Sequence, residues 1–430
     1  LTVLTLPKSV RAEAYISVIV LSITVCRKPI TTHQKLIKYL PLFGPAWLVM
    51  MADVDGSSII GAAQVGSNFG YGFVLIFLAL TLPLYVIQEV SGRVGAVTGK
   101  GLGTLVREVY GRKRAGLVAV PMFVTDTLTY AVEYISIGIG LSVVGIPPIV
   151  GISLAFVVHL LIVARRGYLG AEKVLLTISG VFFLALLATA VLRGGASSSI
   201  LYFSTDPNYL FLLASSVGAV IMPFMLFFQA SATGIKIGDL KARVGRELNL
   251  KEVTKGVRAE TLAGAFASEV LMMLVEVAFT GVPSLTDPLA SGDQLAEALS
   301  VVAGPYAAYL FALGLASASF LALVVISLGS SWGIVEALGL KDEWTFRIYL
   351  LESVPAYLAS LLLPQQYLMG SVLYLLALFD LMVIGPLLVL GMIAKDERVM
   401  GEFRLRGLNE AAYWAFGGLI FALGILGLFT

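Results

Sequence analysis

Charge is what this chain has least of. Only 13% of its 430 residues are charged, against 58% hydrophobic, and its mean hydropathy is +0.93. A soluble domain carries about 25% charged residues, so the composition excludes a water-soluble globule. It indicates an all-α polytopic membrane protein. Cysteine is nearly absent: Cys26 stands alone, which excludes an internal disulfide and a Cys-based metal cluster. Two histidines, His33 and His159, are too few for a His-ligated metal site. No polar stretch of domain length occurs, so no soluble catalytic or regulatory domain is expected. No nucleophile–base pair is visible, so the chain does not read as an enzyme. The net charge of +2 singles out no partner. Nothing points to nucleic acid, an obligate protein partner or a resident cofactor; the lipid bilayer is the one surrounding the composition demands.

What is present is a series of apolar runs long enough to cross a bilayer. They fall at about 42–67, 71–92, 115–142, 147–164, 173–192, 209–232, 260–280, 305–330, 347–364, 371–394 and 411–429. The loops between these eleven runs alternate in charge. One set holds Arg93, Lys100, Arg107, Arg112, Lys113 and Arg114, then Arg165, Arg166 and Lys173. It continues with Lys236, Lys241, Arg243, Arg246, Lys251, Lys255 and Arg258, then Lys341 and Arg347, then Lys395, Arg398, Arg404 and Arg406. The other set holds one basic residue, Arg193, with Asp206, Asp287, Asp293 and Glu297. The positive-inside rule makes the first set cytoplasmic. The N-terminus is then expected inside the cell (plasma) membrane and the C-terminus outside.

Residues 1–34 fit this scheme poorly. The apolar run Ala14–Cys26 is about half a span long, and Cys26-Arg27-Lys28 supplies no small-residue cleavage site. The segment is expected to be peripheral. The transmembrane domain is expected over 35–430.

Two spans are interrupted. In the first, Asp53, Asp55, Gly56, Ser57 and Ser58 break an apolar run. An ionisable group at that depth costs several kcal/mol unless it faces a partner or a pathway. In the sixth, Pro223 removes a backbone donor and Gly218 adds a weak point. Alone, Pro223 reads as an ordinary proline kink. Spans one and six, however, head the two halves if spans 1–5 (about 42–192) and 6–10 (about 209–394) are repeats, with 411–429 as an extra span. An offset of five spans forces inverted topology. Paired broken helices in inverted repeats point to a midplane binding site, where unwound carbonyl oxygens ligate a cation.

Asp53 and Asp55 point to nearly opposite sides of a regular helix, so both reach one ion only where the backbone unwinds. Span three adds Asp126 and Glu133, seven apart and on one face. Glu133 reads either as a carboxylate paired with backbone or serine hydroxyls, or as an ion ligand or proton acceptor. Asp126 reads as part of a proton or ion pathway. Met222 offers a thioether, which suits softer transition metals, although a methionine in an apolar helix is usually packing. His159 reads as the maker of a local hydrogen bond. Glu269 and Glu276 share a face of span seven and are candidates to line an aqueous path, as are Glu352 and Asp380.

From Lys38 to Phe429 the chain resembles the NRAMP family of divalent-metal transporters, which have a LeuT-type inverted-repeat fold. Asp55 falls at the family's span-one Asp, counting back from Phe69-Gly70-Tyr71; Gly56, Ser57 and Ser58 stand where the family has Pro, Gly and Asn. Ala219, Met222 and Pro223 match its sixth-span motif, with Phe224 and Met225 in place of His and Asn. Val97–Leu102 and Val399–Glu402 resemble family loops. Asp53-Val54-Asp55, the run Gln88–Leu102, Glu133 and the run Ala303–Leu315 are similar to the NRAMP-related magnesium transporter branch, as is Pro223-Phe224-Met225. That branch typically has alanine for the methionine ligand, and Met222 departs from it.

The resemblance implies a metal site of Asp55, Ser58, Ala219, Met222, Asp53 and Glu133, and transport of Mg²⁺, Mn²⁺ or, as a further candidate, Fe²⁺. Oxygen donors suit Mg²⁺; a thioether shifts preference toward Mn²⁺ or Fe²⁺. Phe224 cannot carry a proton, so proton coupling is expected to be weak or absent. The alternative is a proton-coupled Mn²⁺/Fe²⁺ symporter of the classical type. An amino-acid symporter of the same fold is disfavoured, because Asp53 and Asp55 would repel a substrate carboxylate.

Overall fold

The computed structural model describes residues 42–165, 168–195, 198–245, 248–282 and 292–429. Residues 1–34, expected to be peripheral, lie outside them. The described chain is helical wherever it is regular.

The first expected span is two helices, α1 (Pro45–Asp53) and α2 (Gly56–Phe69), bent by 48°. Next come α3 (Val74–Thr98), a short α4 (Leu102–Tyr110), α5 (Arg112–Val143), α6 (Pro148–Arg165) and α7 (Tyr168–Arg193). The second half opens with α8 (Pro207–Val220) and α9 (Pro223–Val244), together the sixth expected span. It continues through α10 (Leu250–Phe279), α11 (Gly292–Ala303), α12 (Pro305–Leu338) and α13 (Trp344–Leu362). After α14 (Gln365–Gly370) come α15 (Val372–Met382) and α16 (Ile384–Lys395), then α17 (Glu397–Met400) and α18 (Leu408–Phe429). Proline occupies the first turn of α1, α8, α9 and α12, where its missing N–H goes unneeded.

Among the described residues, eight helices are long and apolar enough to cross a membrane, and the bent pair makes a ninth. The other two expected spans correspond to α6, which is short, and α13, which carries Arg347 and Glu352. Contacts at the two ends show that both run the full thickness of the bundle. At one end the basic loops meet. Arg93 donates to the carbonyl of Phe403 (2.9 Å), Lys236 reaches Glu172 (2.6 Å) and the carbonyl of Phe43 (3.2 Å), and Lys251 pairs with Glu402 (3.0 Å). At the other end Arg193 donates to the carbonyl of Thr280, and Tyr71 N–H to Ser198 Oγ. Helix α6 starts beside Asp293 and Gln365 of this second end, and its last turn lines a cavity with Phe346 of the first.

The most extensive interfaces join α5 to α12 and α3 to α10, which are the third spans and the second spans of the two halves. Equivalent members of the two halves therefore pair across the bundle. Helix α1 packs on α9 and α2 on α8, which brings the two interruptions to the same depth.

Candidate metal centre at two broken helices

The break in the first span is set by two residues that leave helical geometry. Val54 has φ −79° and ψ 60°, and Asp55 is extended at φ −87°, ψ 177°. Asp55 then caps α2: its Oδ1 accepts from Ser58 N–H (2.7 Å) and Ser57 Oγ (2.7 Å). A carboxylate at this position satisfies orphan N–H groups and is stabilised by the positive end of the helix. Glu133 of α5 reinforces it: Oε2 accepts Gly56 N–H at 2.9 Å. The alternative reading of Glu133 as a backbone-paired carboxylate therefore describes one of its oxygens.

The second oxygens are what matter chemically. Asp55 Oδ2 and Glu133 Oε1 are buried without a hydrogen-bond partner, as are the hydroxyls of Ser58, Ser136 and Ser319. A Cβ added at Gly56 would collide with Ser136 Oγ and lie 2.6 Å from Ser319 Oγ. Both hydroxyls thus crowd the start of α2, and a larger residue at position 56 would have to displace them. Buried oxygens without partners are expensive. Several around one helix break are a set that a hard cation and its waters would satisfy.

The opposing break lies at Ile221 (φ −135°, ψ 92°) and Met222 (φ −91°, ψ 149°), both extended, with Pro223 opening α9. Met222 is fully buried at the cap position of α9, its N–H directed at Met225 Sδ (3.4 Å). Ala219 is buried in the last turn of α8. The last turns of α1 and α8 both end at this level, and their terminal carbonyls have no intrahelical partner.

Asp53 borders both this set and α10. It ends α1, is 2% exposed, and interacts with Glu269 and Ser268 of α10 as well as with Asp55. Glu269 has both oxygens unpartnered. Among the described residues no three His, Cys, Asp or Glu side chains are disposed to hold a metal ion. Asp53, Asp55 and Glu133 therefore do not form a carboxylate cage by themselves. Any ion here would take its remaining ligands from hydroxyls, carbonyls, Met222 or water.

Asp126 is elsewhere on α5, against Glu352 of α13, and does not reach the breaks directly. His159 makes local bonds to Tyr134 (3.0 Å) and Ser327 (3.0 Å), as its sequence position suggested. Glu276 caps the start of α3 by accepting Phe73 N–H (2.6 Å). Glu352 accepts from Tyr130 OH (3.0 Å) and from Ser330 Oγ. Asp380 is buried with neither oxygen partnered. Sequence reasoning missed Ser136 and Ser319. Ser136 was within reach, since it lies three residues after Glu133 and so on the same helix face.

Two opposed helix interruptions in an inverted arrangement of spans define a membrane transporter with a LeuT-like fold. A manganese transporter from Eremococcus coleocola, solved as a point mutant, superposes with a TM-score of 0.77 at 16% identity, covering 93% of this chain and 88% of that one. MhsT in complex with L-phenylalanine superposes at 0.59 and 12% identity, covering 89% and 97%.

The family model described as Natural resistance-associated macrophage protein-like matches residues 46–430, and the chain belongs to that family. Relatives described as "Divalent metal cation transporter MntH" include one from Acidiphilium cryptum, 25% identical over 89% of this chain and 88% of that protein. Another, from Klebsiella pneumoniae strain 342, is 29% identical over 66% and 70%. The protein is thus a multi-pass membrane transporter of a divalent-metal family, not an enzyme.

Proposed function

We propose that this protein imports divalent metal ions, Mg²⁺ and Mn²⁺, by alternating access across the plasma membrane. The basic loops then face the cytoplasm, with the N-terminus inside and the C-terminus outside. The observation that carries the reading is the set of unpartnered buried oxygens, Asp55 Oδ2, Ser58 Oγ and Glu133 Oε1, beside the first-span break, on helices that pack against those of the second break. Asp55 is the primary ligand, with Ser58 and the last-turn carbonyl of Ala219 adding oxygens and Met222 a thioether. Asp53 is an outer acid beside Ser268 and Glu269.

Coupling to protons is weak or absent in this reading. Phe224, buried directly after Pro223, has no titratable group. The inside-negative potential alone favours entry of a dication by about 4.6 kcal/mol per 100 mV, twice the value for one charge. No resident cofactor is required.

The test is uptake of Mg²⁺ and Mn²⁺ into proteoliposomes with lumenal pH recorded. Saturable uptake of both ions without lumenal acidification is the expected result. Acidification driven by Mn²⁺ or Fe²⁺, with no Mg²⁺ uptake, selects instead the proton-coupled symporter. Met222 favours that second reading, because its sulfur suits Mn²⁺ and Fe²⁺ over Mg²⁺.

A further inference from the structure

A second group of acids lies between α5, α12 and α13 and is not used by the proposed metal path. Asp126 and Glu352 are both fully buried, and Asp126 lies one helical turn before Tyr130, whose hydroxyl donates to Glu352 across the α5–α13 interface. Glu352 is well served: Tyr130 OH donates to one oxygen and Ser330 Oγ to the other. Neither oxygen of Asp126 makes a well-formed hydrogen bond, although Ser330 lies beside it. The hydroxyl of Ser353, next to Glu352, is also buried and unpartnered.

Positive charge is missing here. Among the described residues no lysine or arginine pairs with either carboxylate. The two ring nitrogens of His159 are taken up by Tyr134 and Ser327 rather than by either acid. Two carboxylates side by side in a water-poor interior repel one another and lose their hydration. Glu352 accepts two hydroxyl donors, and both oxygens of Asp126 are buried without a well-formed bond. The geometry is that of a half-built oxygen cage.

We propose that Asp126, Glu352, Ser330 and Tyr130 form a second cation site, for one hard metal cation held by oxygen. Sodium and magnesium share this chemistry. A dication would neutralise both carboxylates outright, and a monovalent ion would neutralise one. Access would come from the end that carries the basic loops. There a cavity of about 880 Å³ is lined by Val163, Leu328, Trp332 and Phe346, on the helices that hold the site and its neighbour α6. The site is separate from the helix breaks, and an ion bound there would brace α13 against α5 and α12.

The experiment is thermal unfolding of the purified full chain in lipid nanodiscs, titrated with NaCl, with MgCl2 and with choline chloride at matched ionic strength. Asp55→Ala serves as the background, so that the proposed transport site is removed. A saturable rise in Tm with sodium or magnesium, absent with choline, is expected in Asp55→Ala. It should be lost on adding Asp126→Asn, and lost again with Glu352→Gln as an independent second variant. Which salt acts identifies the ion.

The inference is overturned if Asp55→Ala shows no cation-specific rise, or if Asp126→Asn leaves the rise intact. It is equally overturned if Asp126→Asn raises the Tm while no salt has an effect, since the pair is then merely repulsive or shares a proton. The two sites fail separately. Unchanged metal flux in Asp55→Ala would contradict the transport site alone, whereas the loss of all cation response in Asp55→Ala would contradict only this second one.

Discussion

Glu133 Oε2 accepts the backbone N–H of Gly56 at 2.9 Å, so a side chain from the third span holds the first turn after the break in the first. The bond ties the rigid α5–α12 pair to the segment where a transported ion would sit. It also fixes what Glu133 leaves available, one oxygen directed into a region of unpartnered hydroxyls. Replacing Glu133 with Ala strands a buried N–H, at a cost of about 1–3 kcal/mol. Gln keeps a carbonyl oxygen for Gly56 and should preserve stability. The expected pattern in parallel melts and flux assays is a lowered Tm only in Glu133→Ala, with transport reduced in both variants. Equal Tm values for the two would show that the Gly56 bond carries no weight.

Asp55 combines two functions that can be separated. As a helix cap it is worth about 0.5–2 kcal/mol, and asparagine caps nearly as well as aspartate. Asp55→Asn should therefore melt close to wild type, and Asp55→Ala below both. Metal-dependent stabilisation assigned to Asp55 should fall in both variants, because the anionic ligand is gone. A full metal response in Asp55→Asn would remove Asp55 from the ligand set.

Met222 governs selectivity if its sulfur is a ligand. Met222→Ala should weaken competition by Mn²⁺ and Fe²⁺ far more than by Mg²⁺, measured as inhibition of one tracer ion on the same preparation. Parallel weakening of all three would instead assign Met222 to packing.

Close helix contact at the second break makes a prediction about folding alone. A Cβ on Gly218 would overlap the carbonyl oxygen of Leu376, a backbone atom that cannot turn aside. Gly218→Ala should push α8 from α15 and destabilise by about 1–3 kcal/mol. Gly180 of α7 has open space around its Cβ position, so Gly180→Ala should stabilise by about 0.5–1 kcal/mol through helix propensity. Thermal melts of the pair check the sign of each.

Much of this architecture was legible beforehand, because membrane burial writes its pattern directly into composition. Every expected apolar run coincides with a helix or helix pair, and the charge alternation of the loops matches the two ends at which they meet. The breaks were legible from Asp55-Gly56 and from Pro223, residues with a local effect on the backbone. Less was legible where the outcome depended on a partner from another span. Nothing local distinguishes the two acids of the first span, yet Asp53 borders Ser268 and Glu269 of α10 while Glu133 of α5 engages the turn after Asp55. Ser319 of α12 is 263 positions from Gly56 in sequence, and only packing brings it there. The short helices α4, α11, α14 and α17 fall in the loops between the expected spans, since none is long enough to register as a span.

The most direct test of the central claim is uptake of Mg²⁺ and Mn²⁺ by wild type and Asp55→Asn, reconstituted at equal density and matched in Tm. Saturable, potential-driven uptake in wild type, with none above empty liposomes in Asp55→Asn, is the result predicted. Undiminished uptake in Asp55→Asn would contradict the assignment of the helix break as the ion site.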